Sequence, residues 1–254
     1  MKQSRKRIRL WAVLFWLLVW QTASAALAAA YPHGALLLAS PLAAFARLIE
    51  LAASTAFWQA AGVSTAHIFG GFLLSCVLAV VLAALSARYR RVEELLAPLA
   101  AVVKTVPVAS FIILALVWLP SCRLSLFIAA LMVFPPVYRN VLEGIRCTDR
   151  ELLEMARVFR VPFSRRLTGI YLPQVLPYFR SAVSVALGLS WKAGTAAEVI
   201  GLSAGSVGER LYTAKIYFQT ADLFAWTAVI VLLSAVMEKL FLRAVDALAR
   251  KAGV

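Results

Sequence analysis

Three ionisable residues in stretches that are otherwise apolar are the residues of this chain best placed to act on a solute. Lys104 lies shortly before Pro107, while Lys192 follows Trp191 and precedes Glu198 by six positions. A charge inside a membrane is costly and normally faces a protein interior or water. Unpaired lysines in such a place would attract an anion. Lys104, Trp191, Lys192 and Glu198 are therefore candidates for a translocation pathway.

Each candidate also has a purely structural interpretation. Lys104 could snorkel from a span that begins later along the chain, and Pro107 would distort its helix by freeing a backbone carbonyl. On an ideal helix Lys192 and Glu198 lie about 120° apart, so they are poor partners within one helix. They could instead pair with other helices and only fix the packing.

The segment 151–173, ELLEMARVFRVPFSRRLTGIYLP, is a basic insert between two apolar stretches. Thr148 or Asp149 can cap a first helix, and the carboxylates of Glu151 and Glu154 favour its positive N-terminal end. These features predict an ordered docking element at one membrane face. An ordinary basic loop is the alternative.

The apolar side chains of this insert have helical spacing. Leu152, Met155 and Phe159 fall on one face at positions i, i+3 and i+7. Pro162 biases the residue before it away from the helical conformation, which predicts two short helices with a turn at 160–162. A short amphipathic helix with an apolar ridge and charged flanks suits a groove on another protein.

Composition indicates that membrane helices position these residues. Hydrophobic residues make up 63% of the 254 residues, and charged residues only 15%. A span needs about 20 apolar residues and must satisfy its own backbone hydrogen bonds in lipid, so the predicted fold class is an all-α membrane protein. Six transmembrane helices are predicted, near 10–30, 62–86, 95–118, 123–138, 176–199 and 223–242.

The net charge of +14 is distributed unevenly over these six spans. Most Lys and Arg residues lie in the N-terminal tail, at 88–91, in 139–180 and from Lys239 onward. Positively charged loops are retained in the cytoplasm, so both termini and the insert are expected there. The basic residues flank apolar spans instead of forming one face, which argues against a nucleic-acid partner.

The first span has an alternative interpretation as a secretory signal peptide. It has a basic start, an apolar run from Leu10, and small residues at 23–25. Cleavage would leave five spans. The apolar stretch continues to Ala30, which favours an uncleaved first helix and an even number of spans.

Residue types that hold metals or bind nucleotides are sparse. His33 and His67 have no neighbouring ligand cluster, so neither a metal nor a cofactor is predicted. The sequence has no G-x-x-x-x-G-K-[ST] motif for ATP. The chain by itself is therefore not expected to be an enzyme, and no catalytic residue is predicted.

The insert is similar to the EAA signature of permease subunits of binding-protein-dependent ABC importers. That signature reads E-A-A, three residues, G, nine residues, I, one residue, L-P. Here the register holds without an insertion, through Glu154, Met155, Ala156, Arg160, Ile170, Leu172 and Pro173. Methionine replaces the first alanine, and arginine replaces the glycine.

The replacement of that glycine bears on the shape of the insert. Glycine permits a left-handed turn at no steric cost, whereas Arg160 there would cost roughly 1 kcal/mol. Either the turn is built around Pro162 instead, or the docking geometry differs from that of the family.

The resemblance implies a type I importer permease domain over 36–248, with the coupling insert at 139–173. Residues 1–35 would form a cytoplasmic tail and the first span, and 249–254 a cytoplasmic tail. The chain looks closest to nitrate, sulfonate and taurine permeases, because Ala-Glu-Val-Ile-Gly at 197–201 matches their A-E-M-I-G. Lys192 departs from that group, which more often has an apolar residue after the tryptophan.

The family resemblance also implies partners. The insert would dock in a groove of a cytoplasmic ATPase subunit, which would hydrolyse ATP for the complex. The chain would work as a homodimer with two such subunits and an extracytoplasmic solute-binding protein in a bacterial inner membrane, importing a small anion such as a sulfonate or nitrate. An ion-gradient-driven secondary transporter is the alternative, and it would predict inverted repeats. The residues implied in coupling are Glu151, Leu152, Glu154, Met155, Ala156, Phe159, Arg160, Ile170, Leu172 and Pro173.

Overall fold

The computed structural model describes residues 10–251, and the regular structure of this part of the chain is helical. The basic tail at 1–9 and the last residues, 252–254, for which a cytoplasmic location is predicted, lie outside the described residues. The helices are α1 (Leu10–Ala30), α2 (Gly34–Leu37), α3 (Pro41–Ala52), α4 (Thr55–Arg88), α5 (Arg90–Thr105), α6 (Val108–Leu116), α7 (Ser121–Arg146), α8 (Arg150–Val158), α9 (Phe163–Arg166), α10 (Leu172–Gly201), α11 (Val207–Ile216) and α12 (Thr220–Lys251).

Three of these helices, α1, α4 and α7, are long and apolar enough to cross a membrane, and α5 with α6 forms a bent pair that passes the same test. Helices α10 and α12 have 30 and 32 residues, which also exceeds the length of about 20 that a span needs. Five of the six predicted segments each fall within one of these helices, and the third, 95–118, covers most of the bent pair α5 and α6. The structure extends most of them, and α7 in particular continues beyond the membrane-length segment predicted at 123–138.

The third predicted span, 95–118, is two helices with a sharp bend between them, a stronger effect of Pro107 than the local distortion expected from the sequence. Helix α5 ends at Thr105 and α6 begins at Val108, and the helix axis bends by 105° between them. Pro107 explains the break, because proline lacks a backbone N–H and disfavours a helical residue before it. Val106 is accordingly extended, with φ −75° and ψ 135°. Lys104 therefore lies in the last turn of α5 instead of the middle of a span.

The main core forms where α4, α7 and α10 pack together. Phe72 of α4, Val137 of α7 and Leu187 of α10 are all fully buried in it. Glycines allow this approach: a Cβ on Gly71 would lie 2.2 Å from the Leu126 carbonyl oxygen of α7. Small residues of this kind let membrane helices pack closely. The buried small residues of α4 and α10 include Gly71, Ser75, Ala79, Ala83, Ala182, Ala186, Ser190 and Gly194.

Helix α3 is a short amphipathic helix between α1 and α4. The Ser40 hydroxyl accepts a hydrogen bond from the Ala43 amide at 3.2 Å, as expected for a serine cap followed by proline. Arg47 donates to Asp222 at the start of α12 at 2.5 Å and to Glu50 at 2.7 Å. Its bonds to Asp222 and then Glu50 raise the pKa of the guanidinium above its ordinary value. This ion pair joins α3 to α12.

Helix α1 is attached to the turn that precedes α3. The Trp20 indole N–H donates to the Ala39 carbonyl at 3.0 Å, and the Ser24 hydroxyl donates to the Leu38 carbonyl at 2.8 Å. The Trp20 ring also contacts Phe224 of α12, with 4.8 Å between the ring centroids. The first helix therefore packs on the rest of the chain at one end, while most of its apolar surface is exposed.

Candidate functional site

Glu198 of α10 is fully buried, with 0% of its surface exposed. Its Oε2 accepts hydrogen bonds from the Ser64 hydroxyl at 2.7 Å and from the Gly208 amide at 3.2 Å. The Ser64 oxygen in turn accepts one from the Val207 amide at 2.9 Å. The second carboxylate oxygen, Oε1, has no partner among residues 10–251. This cluster joins α4, α10 and the first turn of α11.

Helix α11 begins at this carboxylate for a local reason. Ser206 caps the helix by accepting a hydrogen bond from the Glu209 amide at 3.1 Å. Of the first-turn amides, that of Gly208 donates directly to Glu198 and that of Val207 donates to Ser64, and a helix N-terminus favours a negative charge. Gly208 allows the approach, since a Cβ there would lie 2.3 Å from the Glu198 Cβ. Glu198 thus holds α11 against α10.

The structure does not pair Glu198 with a lysine. Its hydrogen-bond partners are a hydroxyl and a backbone amide, and no ion pair to Lys104 or Lys192 is found within residues 10–251. Lys192 is exposed, and Glu198 is buried. The separation agrees with the six-residue spacing, which turns the two side chains to different faces of α10.

Lys192 lies on a face of α10 that the described chain leaves uncovered. Val185 and Leu189, on the same side of the helix, are 60% and 40% exposed. Trp191 points the other way and is buried with Ile68 and Ala129. A lysine on a membrane helix is costly in lipid, so this face needs water or another protein surface.

Lys104 is also exposed, but its position has a simpler explanation. It lies in the last turn of α5, where a cation interacts favourably with the free carbonyls of the helix end. No hydrogen bond or ion pair joins it to Lys192 or Glu198 in the described part of the chain. The three charged residues predicted for the pathway, Lys104, Lys192 and Glu198, therefore form no ion pair with one another within residues 10–251.

The insert forms the first predicted helix, α8, with Asp149 as its cap. The Asp149 carboxylate accepts hydrogen bonds from the Glu151 amide at 2.8 Å and the Leu152 amide at 3.4 Å. The hydroxyl of Thr148 donates instead to the Gly144 carbonyl at 3.2 Å, so it satisfies a carbonyl in the last turn of α7. Of the two capping residues that the sequence allowed, Asp149 is the one that caps α8 in the structure.

Helix α8 presents its apolar ridge to the outside. Leu152, Met155 and Phe159 are 38%, 50% and 75% exposed, while Ala156 is buried against the protein. Glu151 and Glu154 are exposed beside the ridge. An apolar patch rimmed by charges on a short helix has the character of a protein-binding surface.

Arg160 adopts the left-handed conformation itself, with φ of 50°. The Val161 amide donates to the Ala156 carbonyl at 2.9 Å and the Arg160 amide to the Arg157 carbonyl at 3.1 Å, which is the Schellman pattern of a helix end. The suggestion of a turn built around Pro162 is therefore wrong. The turn that a glycine would favour is retained, at a cost of roughly 1 kcal/mol.

The second half of the insert is helical but continuous with the span that follows it. Helix α9 has four residues and continues through a π-helical segment, Leu167–Tyr171, into α10. Ile170 therefore lies in the π-helical segment, and Leu172 and Pro173 begin α10. These three residues lie at the junction with a span, whereas the residues of α8 form the exposed ridge.

Two partners of Glu198 were not predicted. Ser64 has no sequence feature that relates it to a carboxylate 134 positions away. Helix α11, however, has a local signal: Ser-Val-Gly-Glu at 206–209 resembles a capping box and would have predicted a helix start beside Glu198.

Comparisons with known proteins agree with one another. Residues 71–254 match the family described as binding-protein-dependent transport system inner membrane component. The chain is 33% identical to the putative aliphatic sulfonates transport permease protein SsuC of Bacillus subtilis over 61% of this chain and 56% of the relative. It is 29% identical to the bicarbonate transport system permease protein CmpB of Synechococcus elongatus over 57% of this chain and 52% of the relative. Both alignments cover about half of the relative's length.

A third relative aligns over a longer range. The chain is 26% identical to a probable ABC transporter permease protein of Brucella melitensis over 84% of this chain and 86% of the relative. The similarity to this permease therefore includes most of the helices described above, α8 among them.

Proposed function

This chain belongs to the family of inner membrane components of binding-protein-dependent transport systems, and from that membership we propose that it couples solute import to ATP hydrolysis in a partner subunit. The observation that supports the proposal is α8, whose exposed apolar ridge stands where the sequence resembles the EAA signature. The chain is a multi-pass inner membrane permease. The coupling, the partners and the substrate are the proposed parts.

A displacement of α8 would be transmitted to α10, the helix that carries Lys192, through direct contacts. The Asp149 amide, at the start of α8, donates to the Gln174 side-chain oxygen in the first turn of α10 at 2.8 Å. Ala156 is buried on the inner side of α8, so the helix cannot shift independently of its neighbours. Lys192 lies 20 residues along α10 from Leu172, which is about 30 Å at 1.5 Å per residue. Movement of an ATPase groove would thus tilt the helix that carries Lys192.

A second copy of this chain is the partner proposed for the uncovered face of α10. Val185, Leu189 and Lys192 form a mostly apolar surface with one cation, which suits a subunit seam along a water-filled path better than lipid. Two copies would place two Lys192 side chains near the path. Alternating access then requires that the seam open toward one side at a time.

The proposed substrate is a small anion. Relatives named for aliphatic sulfonates and for bicarbonate carry anionic solutes, and an exposed lysine on a membrane helix provides a matching charge. The charge asymmetry of the loops supports a cytoplasmic location for the insert and both termini. Helices α3 and α11 then lie at the other face, where the solute-binding protein would dock. The permease domain proposed for this assembly is 36–248.

The test is copurification with the ATPase subunit encoded for the same importer. Glu154→Lys reverses a charge beside the α8 ridge and should lower the amount of ATPase recovered with the permease at least about tenfold, because like charges facing one another cost several kcal/mol. Glu209→Lys on α11 is the matched control and should leave recovery unchanged. Normal recovery of the ATPase with Glu154→Lys would refute the role of α8.

A further inference from the structure

A groove of about 570 Å³ opens beside the insert, between the last turns of α4 and α7 and the first turn of α10. Its walls are largely hydrocarbon: Ala84 and Ala87 of α4, Ile145 of α7, and Phe163 and Leu167 of the insert. The volume falls within the range of about 300–1,000 Å³ typical of small-molecule sites. We refer to this cavity as the insert groove.

Arg88 lines the insert groove, and no counter-ion for it is found in the part of the chain that the structure describes. Arg88, in the last turn of α4, contributes to the lining, and its guanidinium lies 5.8 Å from the centre of the Tyr89 ring. No ion pair to Arg88 is found among residues 10–251, whereas Arg90 pairs with Glu94 at 3.0 Å. The groove therefore combines a hydrocarbon interior with a free cation.

The insert groove lies away from the α10 face proposed for the second copy. On an ideal helix Leu172, which lines the groove, and Lys192 are about 160° apart. The groove also lies at the helix ends that carry the basic insert, which is the membrane–water boundary on the side proposed as cytoplasmic. Basic pockets between membrane helices on that side suit anionic lipid headgroups.

We propose that the insert groove binds an acyl chain of an anionic phospholipid, phosphatidylglycerol, with its phosphate paired to Arg88. The hydrocarbon walls fit an acyl chain and not a free phosphate. The guanidinium, for which no acidic partner is found among residues 10–251, favours a headgroup of net negative charge over phosphatidylcholine, because the ammonium of phosphatidylcholine offsets its phosphate. The bound chain fills the space beside Leu167 and Tyr171, the ends of the π-helical segment that links the insert to α10. The location of the insert groove at the cytoplasmic lipid surface rests on the membrane orientation proposed above.

The experiment measures lipid retained by the full-length permease after purification in detergent and titration with phosphatidylglycerol or phosphatidylcholine, by native mass spectrometry. Ala84→Trp fills the groove and should abolish retention of phosphatidylglycerol. Arg88→Gln removes the cation and should lower the affinity for phosphatidylglycerol about fivefold and the affinity for phosphatidylcholine clearly less, because the choline ammonium already offsets the phosphate charge. Leu78→Trp, at an exposed position of α4 outside the groove, and Arg91→Gln are the matched controls and should retain lipid as the wild type does.

Equal retention of phosphatidylglycerol by the wild type and Ala84→Trp would overturn the proposal, as would equal affinity for the two lipids. Loss of a permease dimer in Ala84→Trp, with no lipid found on the wild type, would show that a second copy covers the groove and would also overturn it. Arg88→Gln keeps the test valid if the tryptophan variant does not fold. Retention is measured without the ATPase, so failure of the coupling proposal and failure of this one are distinguishable.

Discussion

Removal of the Glu198 carboxylate should release α11 from the helix bundle. Glu198→Ala leaves the Ser64 hydroxyl and the Gly208 amide without their acceptor in a buried place. Each unsatisfied buried donor costs about 1–3 kcal/mol, so the two together cost about 2–6 kcal/mol. Glu198→Gln keeps one side-chain oxygen as acceptor and should cost clearly less.

The assay is hydrogen–deuterium exchange of the peptide that covers α11, read by mass spectrometry in detergent. A loss of at least about 2 kcal/mol in the local opening free energy corresponds to exchange about 30-fold faster in Glu198→Ala. The main core of α4, α7 and α10 should keep its protection, because its contacts are apolar and distant from the carboxylate. Exchange in Glu198→Gln should lie between that of Glu198→Ala and the wild type.

The matched control is Glu209→Ala, which removes the same kind of side chain from α11 itself. Its carboxylate accepts one hydrogen bond, from the Gly205 amide at 2.7 Å, in an exposed place. The loss of an exposed carboxylate at a helix start costs about 0.3–1 kcal/mol, so exchange should rise no more than about fivefold. If Glu198→Ala and Glu209→Ala speed exchange equally, the buried carboxylate does not hold α11 and the reasoning is refuted.

Three further predictions concern the turn, the pathway and the topology. Arg160→Gly should preserve ATPase binding and raise the unfolding midpoint by roughly 2–4 °C in scanning fluorimetry, since it relieves about 1 kcal/mol of left-handed strain; a lowered midpoint would contradict this. Lys192→Met should lower uptake of the anion at least about tenfold while the complex still assembles and hydrolyses ATP, and unchanged uptake would remove Lys192 from the pathway. Green fluorescent protein fused after Val254 should fluoresce and alkaline phosphatase at the same place should be inactive; an active phosphatase would indicate an odd number of spans.

The first helix of the coupling insert was predictable because its determinants are local. The cap at Asp149, the ridge of Leu152, Met155 and Phe159, and the helix end near Pro162 all depend on residues within a few turns of one another. The left-handed Arg160 was not predicted with them. Its conformation is unfavourable in isolation, and the packing of the buried Ala156 and the hydrogen bonds of the helix end make it the better choice.

The six apolar segments were predictable for a different reason, since a bilayer imposes a minimum length on any span. The break at Pro107 is a local effect as well, and proline explains why α5 ends there. The 105° bend, however, depends on what α6 packs against. Ile112 and Ala115 of α6 are buried on α7 and α10, and no pattern within 95–118 specifies that contact.

The sequence by itself determined a helical membrane protein with a capped amphipathic helix in the insert, because the hydropathy of a span and the cap of a helix depend on residues that are close together in the sequence. Only the tertiary structure decided that Glu198 holds α11 through Ser64 instead of pairing with Lys192, and that the small residues of α4 and α10 pack within this chain. A buried carboxylate needs donors and a small residue needs a close neighbour. Which residue fills either role depends on helices far apart in the sequence, and their relative rotation arises only when the whole bundle packs.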